Sequence, residues 1–311
     1  LHTLLQKHKG QPIIVRSSSL LEDSYGTSFA GKYDSYFCAN QASITENLHS
    51  LSKAISKIYA SVYSPDALLY RKKMGLLDYD ERMAILIQVV EGDKHGDWFY
   101  PPIAGVAFSK NQYRWTSRID PEDGLVRMVC GLGTRAVEQT SDYTRMVALS
   151  HPKIRPESGA SAIQHYSQKQ IDVINLKTNR FESQPITKIL NGKLKWLRLL
   201  TVQVTNDYLG KLVTTSPNIA SKNLVLTFDQ IIEQTNFVSQ LKHMLRFISK
   251  HYQTAVDVEF TARISYKHRK PKVSICLVQC RPQSLRSNML PTKIPQDIDQ
   301  SAIIFRARGI V

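Results

Sequence analysis

The chain has 311 residues, 42% of them hydrophobic, and Lys and Arg outnumber Asp and Glu by fifteen. That apolar content is enough for a sizeable core, in two lobes rather than one, and it excludes a globally disordered chain. No apolar run approaches the roughly 18 residues of a membrane span, and the opening LHTLLQKHKG has no secretory hydrophobic stretch, so a cytoplasmic protein is expected.

In chain order, residues 1–9 have the apolar spacing of a short helix, which Gly10 and Pro12 stop before a strand that delivers Arg16. Residues 32–40 alternate as a strand. Residues 44–70 predict one long amphipathic helix, with Leu48, Leu51, Ile55, Ile58 and Val62 at helical spacing. MAILIQVV (83–90) is almost continuously apolar and predicts a buried strand. Further strands are predicted at 105–109 and 125–130, after which Gly131-Leu132-Gly133 opens a helix reaching Met146 and offers N–H groups to an anion. Residues 151–223 read as a connecting region with strand-like pieces at 171–176 and 197–204, and carry no assigned chemistry. A second amphipathic helix is predicted over 226–251, capped by Thr227 with Gln230 three residues on. Beyond Ser284 the chain turns polar and proline-containing, as a linker would.

Two stretches carry chemistry. In VRSSSLLEDSYGTSFAGKYDSYF (15–37), Arg16 supplies a permanently charged fork suited to phosphate oxygens. The small-residue turn from Ser28 to Gly31, with Lys32 behind it, lets backbone N–H groups approach an anion. Either piece alone fits an ordinary hairpin with a surface arginine. The second stretch is a pair of strands near the end. Alternation places Asp257 and Glu259 opposite an apolar face of Val256, Val258, Phe260 and Ala262. A turn over 266–272, centred near Arg269, sets Glu259 across from Gln279 and Asp257 across from Arg281. Glu259 and the Gln279 amide oxygen suit a hard divalent cation such as magnesium, with Asp257 nearby. The alternative is an exposed edge hairpin with a cross-strand Asp257–Arg281 pair.

The four cysteines lack zinc-site spacing and are expected as reduced core thiols, with Cys276 and Cys280 on one strand face. The nine histidines form no ligand cluster. The positive surplus could attract nucleic acid, an anionic nucleotide or an acidic partner domain, but it is spread along the chain without a nucleic-acid motif. Solvated faces explain it better than nucleic-acid binding.

Five blocks in order, VRSSSLLEDSYGTSFAGKYDSYF, GVAFSKN (105–111), CGLGTRAVEQTSDYT (130–144), VDVEFTA (256–262) and LVQCRPQS (277–284), resemble segments of the phosphoenolpyruvate synthase and pyruvate phosphate dikinase family, in its ATP-grasp nucleotide-binding domain. The resemblance implies an α+β, ATP-grasp-like fold, with mixed or antiparallel sheets flanked by helices and two lobes around a nucleotide cleft. It implies ATP and Mg2+ as cofactors, Arg16 and Arg281 on phosphate oxygens, and Gln88 and Val90 bordering the adenine. The acceptor it implies is a histidine on a separate swivelling domain, which passes the group to pyruvate on a third; neither domain is visible here. Two departures stand out: the glutamate that usually follows Gly-Leu-Gly is Thr134, and the family's Gly-Gly-Lys segment would precede residue 1. The chain is therefore expected to be a piece of a longer phosphotransferase with paired acceptors, binding ATP poorly by itself. Its expected parts are 1–150, carrying Arg16 and the Gly-rich loop; 151–223, an insertion or connecting subdomain; 224–285, carrying the metal hairpin; and 286–311, a tail or linker toward a further domain. Rival readings are a dikinase of the same family with a glucan or small-molecule acceptor, and a degenerate nucleotide-sensing module.

Overall fold

The computed structural model describes residues 1–23, 33–137, 143–205, 208–213, 219–283, 299 and 301. Helix α1 (His2–Lys7) leads into β1 (Ile13–Ser19), the one-turn α2 (Leu20–Asp23), β2 (Ser35–Cys38), α3 (Ile44–Ser61), α4 (Pro65–Lys73) and β3 (Met83–Val89). The strands form an antiparallel sheet in the order β2-β1-β3. Leu51, Ala54 and Ile58 of α3 are buried against Leu5, Ile13 and Val15, which fixes β1 and hence Arg16 on a packed base.

Residues 44–70 are two helices rather than one. Helix α3 opens with a capping box between Ser43 and Glu46, and α4 starts afresh with Ser64 as N-cap and Pro65 in its first turn. Proline has no N–H to continue the α3 ladder, and its ring crowds the preceding turn, so the first helix ends before it, where the apolar spacing from Leu48 to Val62 also stops. Strand β3 is likewise not buried on both faces. It is an edge strand whose Met83, Ile85 and Ile87 pack on the α3 core, while Leu86 is 41% exposed.

The chain continues through β4 (Asp93–His95), β5 (Trp98–Tyr100), β6 (Ile103–Phe108), β7 (Leu125–Val129), α5 (Thr134–Val137) and β8 (Arg145–Ala148). The middle region supplies α6 (Ala160–His165), β9 (Gln170–Asn175), β10 (Arg180–Pro185), α7 (Ile186–Ile189), α8 (Leu197–Leu200), β11 (Thr201–Thr205) and β12 (Tyr208–Lys211). Then come β13 (Leu224–Leu226), α9 (Asp229–Gln234), α10 (Phe237–Tyr252) and the long hairpin β14 (Val256–Lys267) and β15 (Lys270–Pro282). Three more antiparallel sheets result, in the orders β15-β14-β6-β7-β8, β10-β9-β5-β4 and β12-β11-β13. Phe237, Leu241 and Leu245 of α10 share the main core with Val256, Val258 and Phe260 of β14. At the centre of the five-stranded sheet Gly105 is required: a Cβ there would stand 2.2 Å from the Arg127 carbonyl oxygen.

Several expected elements differ. Arg145 and Met146 are strand, not helix, because they pair with Met128 and Arg127. Residues 226–251 split at Thr235 and Asn236 into α9 and α10; Phe228, at φ 59°, takes the N-cap place, and the Thr227 hydroxyl is buried with no hydrogen-bond partner among the described residues. The apolar run at 197–204 is a helical turn followed by β11. All four cysteines are free thiols, but Cys276 is exposed rather than in the core.

His95 gives the fold a pH dependence. Its ring lies 4.6 Å from that of Tyr100 and 5.9 Å from that of Trp196, and Nε2 is buried with no partner among the described residues. Burial holds its pKa below the ordinary value, against the opposing pull of Asp93. The unfolded chain therefore takes the proton first. Stability that depends on neutral His95 is fully present above the unfolded value of about 6.5 and is lost as pH falls through the folded one. Urea titrations at pH 7.5 and 5.5 should show a larger acid loss in the parent than in His95→Phe; equal losses would rule this contribution out.

Candidate functional site

The hairpin that closes the five-stranded sheet turns over two residues, His268 and Arg269, both with left-handed backbone (φ 50° and 62°). This is tighter than the expected turn, and its register runs unchanged from Lys267–Lys270 to Phe260–Leu277. A β-bulge then leaves Val278 unpaired, so Glu259 faces Gln279 and Asp257 faces Arg281. The expected pairs form, but the bulge rather than the turn sets them. Without that extra residue, alternation would turn Gln279 and Arg281 to the face of Val258 and Phe260, which is the core. For the same reason Cys276 and Cys280 occupy opposite faces, not one.

Arg16 arrives from the other sheet. Its Nη2 lies 2.8 Å from Glu259 Oε2, and Arg281 Nη2 lies 3.0 Å from Glu259 Oε1. Arg281 Nε is also 3.5 Å from Asp257 Oδ1. Glu259 and Arg281 are each 9% exposed, so these charges meet in a poorly solvated place, where pairing is what makes their burial tolerable. They open onto a cavity of about 560 Å³ also lined by Gln88, Val90 and Gln279. Asp257 stands behind this wall, against Arg281. Ser28, Gly31 and Lys32 lie outside the described residues.

Three polar atoms on the cavity wall, Gln88 Oε1, Gln279 Oε1 and Thr261 Oγ1, are buried without a hydrogen-bond partner among the described residues. Buried acceptors of this kind are costly unless something supplies a donor or a cation. Among the described residues no three His, Cys, Asp or Glu side chains converge, so a metal held here would take one carboxylate, an amide oxygen and oxygens of a substrate. That donor set fits magnesium and does not fit a transition metal.

The turn from Leu132 to Thr134 also lines the cavity. Its first N–H groups are not open to an anion as expected: Gly131 N–H donates to the Pro101 carbonyl and Leu132 N–H to the Asp172 carbonyl. Gly131 has φ 111°, and a Cβ on it would meet Asp172 O at 2.7 Å. Asp172, 5% exposed, also binds the turn through its side chain. Its Oδ1 accepts from Arg135 Nε at 2.9 Å and from Ser183 Oγ, and its Oδ2 accepts from the Thr134 hydroxyl. Sequence reasoning missed Asp172. The available signal was a lone carboxylate inside the apolar strand QIDVIN.

The family described as "Pyruvate phosphate dikinase, AMP/ATP-binding domain" matches residues 2–302. An uncharacterized phosphotransferase, YvkC, of Bacillus subtilis (strain 168) is 30% identical over 152 residues, which is 49% of this chain and 16% of that protein. A probable phosphoenolpyruvate synthase of Methanocaldococcus jannaschii is 31% identical over 88 residues, 28% of this chain and 7% of that protein. The matched stretches thus correspond to less than a fifth of either relative. With a family match that runs nearly end to end, over the same residues that build the cavity, the chain belongs to the pyruvate phosphate dikinase AMP/ATP-binding domain family.

Proposed function

We propose that this chain is the ATP-binding part of a phosphoenolpyruvate synthase-like or pyruvate phosphate dikinase-like phosphotransferase, with an ATP-grasp-like, two-lobed arrangement around the 560 Å³ cavity. In this reading it holds Mg-ATP while a phosphoryl group moves to a histidine on a separate domain of the full-length protein. The observation that carries the reading is the meeting of Arg16 and Glu259, from different sheets, at 2.8 Å on the wall of one cavity.

Phosphoryl transfer asks a protein mainly for positioning and charge neutralisation. Arg16 and Arg281 now spend their guanidinium groups on Glu259 and Asp257. A triphosphate would offer both arginines stronger acceptors, leaving Glu259, with Gln279, to hold the metal. Magnesium when bound would neutralise charge on the phosphate oxygens. Ser28, Gly31 and Lys32 would add further phosphate contacts. Gln88 and Val90 would border the base; Val90 N–H already donates to the Pro12 carbonyl, so its contact would come from its carbonyl or side chain.

Thermal unfolding with ATP, GTP and each without magnesium tests the proposal. ATP with magnesium should raise the midpoint by several degrees, and GTP or ATP without metal should do markedly less. Equal responses to all four conditions would reject it.

A further inference from the structure

A second cavity, of about 340 Å³, flanks β2 and shares only Tyr36 and Phe37 with the nucleotide cavity. Its cations come from two distant elements. Lys53 and Lys57, four residues apart and therefore on one face of α3, meet Arg180 from the start of β10. Among the described residues no Asp or Glu lines it, and none of the three cations pairs with a carboxylate. The Lys57 ammonium instead sits 4.9 Å above the Tyr36 ring.

The floor is apolar and built. The rings of Phe37 and Phe181 stack at 5.4 Å with 8° between their planes. The two sides of the cavity are tied together, because Asn179, at φ 57°, accepts the Gln41 N–H at 2.9 Å through its side chain. The space is thus defined before any ligand arrives, and its volume falls at the small end of known small-molecule pockets, about 300–1,000 Å³. Three like charges around an apolar floor repel one another, and an anion that enters relieves that repulsion. Arginine's fork favours an oxyanion with two oxygens to offer, and two ammonium groups beside it favour a dianion over a monoanion.

We infer that this cavity binds a small phosphate monoester, its phosphate between Lys53, Lys57 and Arg180 and its apolar body on the Phe37–Phe181 stack. The site does not depend on the nucleotide reading: it shares Tyr36 and Phe37 with that cavity but none of the charged groups assigned there. Phenyl phosphate is the probe, titrated calorimetrically into the whole chain, with inorganic phosphate and phenol as the two halves of the ligand. The expected result is one saturable site for phenyl phosphate, at least tenfold tighter than for either half and weakened at least tenfold by Lys57→Gln or Arg180→Gln. Both residues are exposed, so the variants should fold. Arg16→Gln should change this affinity less than twofold. Absence of saturable binding overturns the inference, and so does binding that survives both cavity variants or disappears in Arg16→Gln. ATP titrations of the same proteins report on the other cavity, so the two readings fail separately.

Discussion

Glu259→Ala is expected to destabilise the domain by roughly 3–5 kcal/mol, the usual cost of removing one partner from a buried ion pair. Glu259 is the common acceptor for Arg16 and Arg281, and it is 9% exposed. Without it, Arg16 loses the carboxylate it pairs with, and Arg281 is left with Asp257 at 3.5 Å, so two positive charges in this poorly solvated place are balanced by one fewer negative charge. Glu259→Gln keeps the shape and one acceptor oxygen, so its loss should be smaller, but the charge that balances the arginines is still gone. Urea denaturation at pH 7 measures both variants. A loss below about 1 kcal/mol for alanine would mean that solvent screens the cluster as it does a surface pair. The nucleotide reading adds an opposite-signed effect. ATP supplies the missing negative charge, so ATP without magnesium should stabilise Glu259→Ala more than the parent, while the magnesium-dependent increment disappears.

That site was legible in the sequence because its parts are written in the period of a strand. Asp257 and Glu259 alternate with four apolar residues, so both carboxylates had to share the face away from the core. The partner strand was harder. Its apolar alternation runs straight into Gln279 and Arg281, which marks a change of environment but not its cause; the bulge at Val278 depends on tertiary pairing with β14 and leaves no residue signature. The meeting of Arg16 with Glu259 spans 243 positions between separate sheets, and only the family resemblance, not periodicity, brought the two together. The helix errors have a common physical origin. In each case an apolar segment is extended past its end: the spacing from Leu48 stops at Val62, where Ser64 and Pro65 start a helix that buries Ala67 and Arg71, and Thr235-Asn236 separates α9 from α10 without a side-chain cap on Asn236. Strand β3 was misjudged for the converse reason: an edge strand that lines a cavity can be as apolar as a central one.

Asp172 shows what composition hides and supplies the second large effect. Its strand, β9, pairs with β5 and β10, far in sequence from the turn at Gly131–Thr134 that it holds. Asp172→Ala would leave Arg135, whose side chain is 14% exposed, without its carboxylate, and Thr134 and Ser183 without their acceptor. A loss of roughly 1.5–3 kcal/mol is expected, the usual worth of hydrogen bonds to a charged group, because Arg135 keeps its bond to the Ser183 hydroxyl and Ser183 itself is exposed to water. Stability alone would not separate a packing role from a positioning one, so the conservative variant decides. Asp172→Asn can still accept from Arg135 but must present an amide N–H2 to one of two hydroxyls that now donate, which should shift the Leu132–Thr134 rim of the cavity. On the reading proposed above, Asp172→Asn should remain folded at 25 °C yet bind Mg-ATP about tenfold more weakly. Glu182→Gln, which alters a neighbouring carboxylate that pairs with Asn175 and Thr178 rather than with the turn, should leave ATP affinity within twofold. If Asp172→Asn binds ATP as tightly as the parent, Asp172 only stabilises the fold, and the rim needs no side-chain anchor to receive the nucleotide.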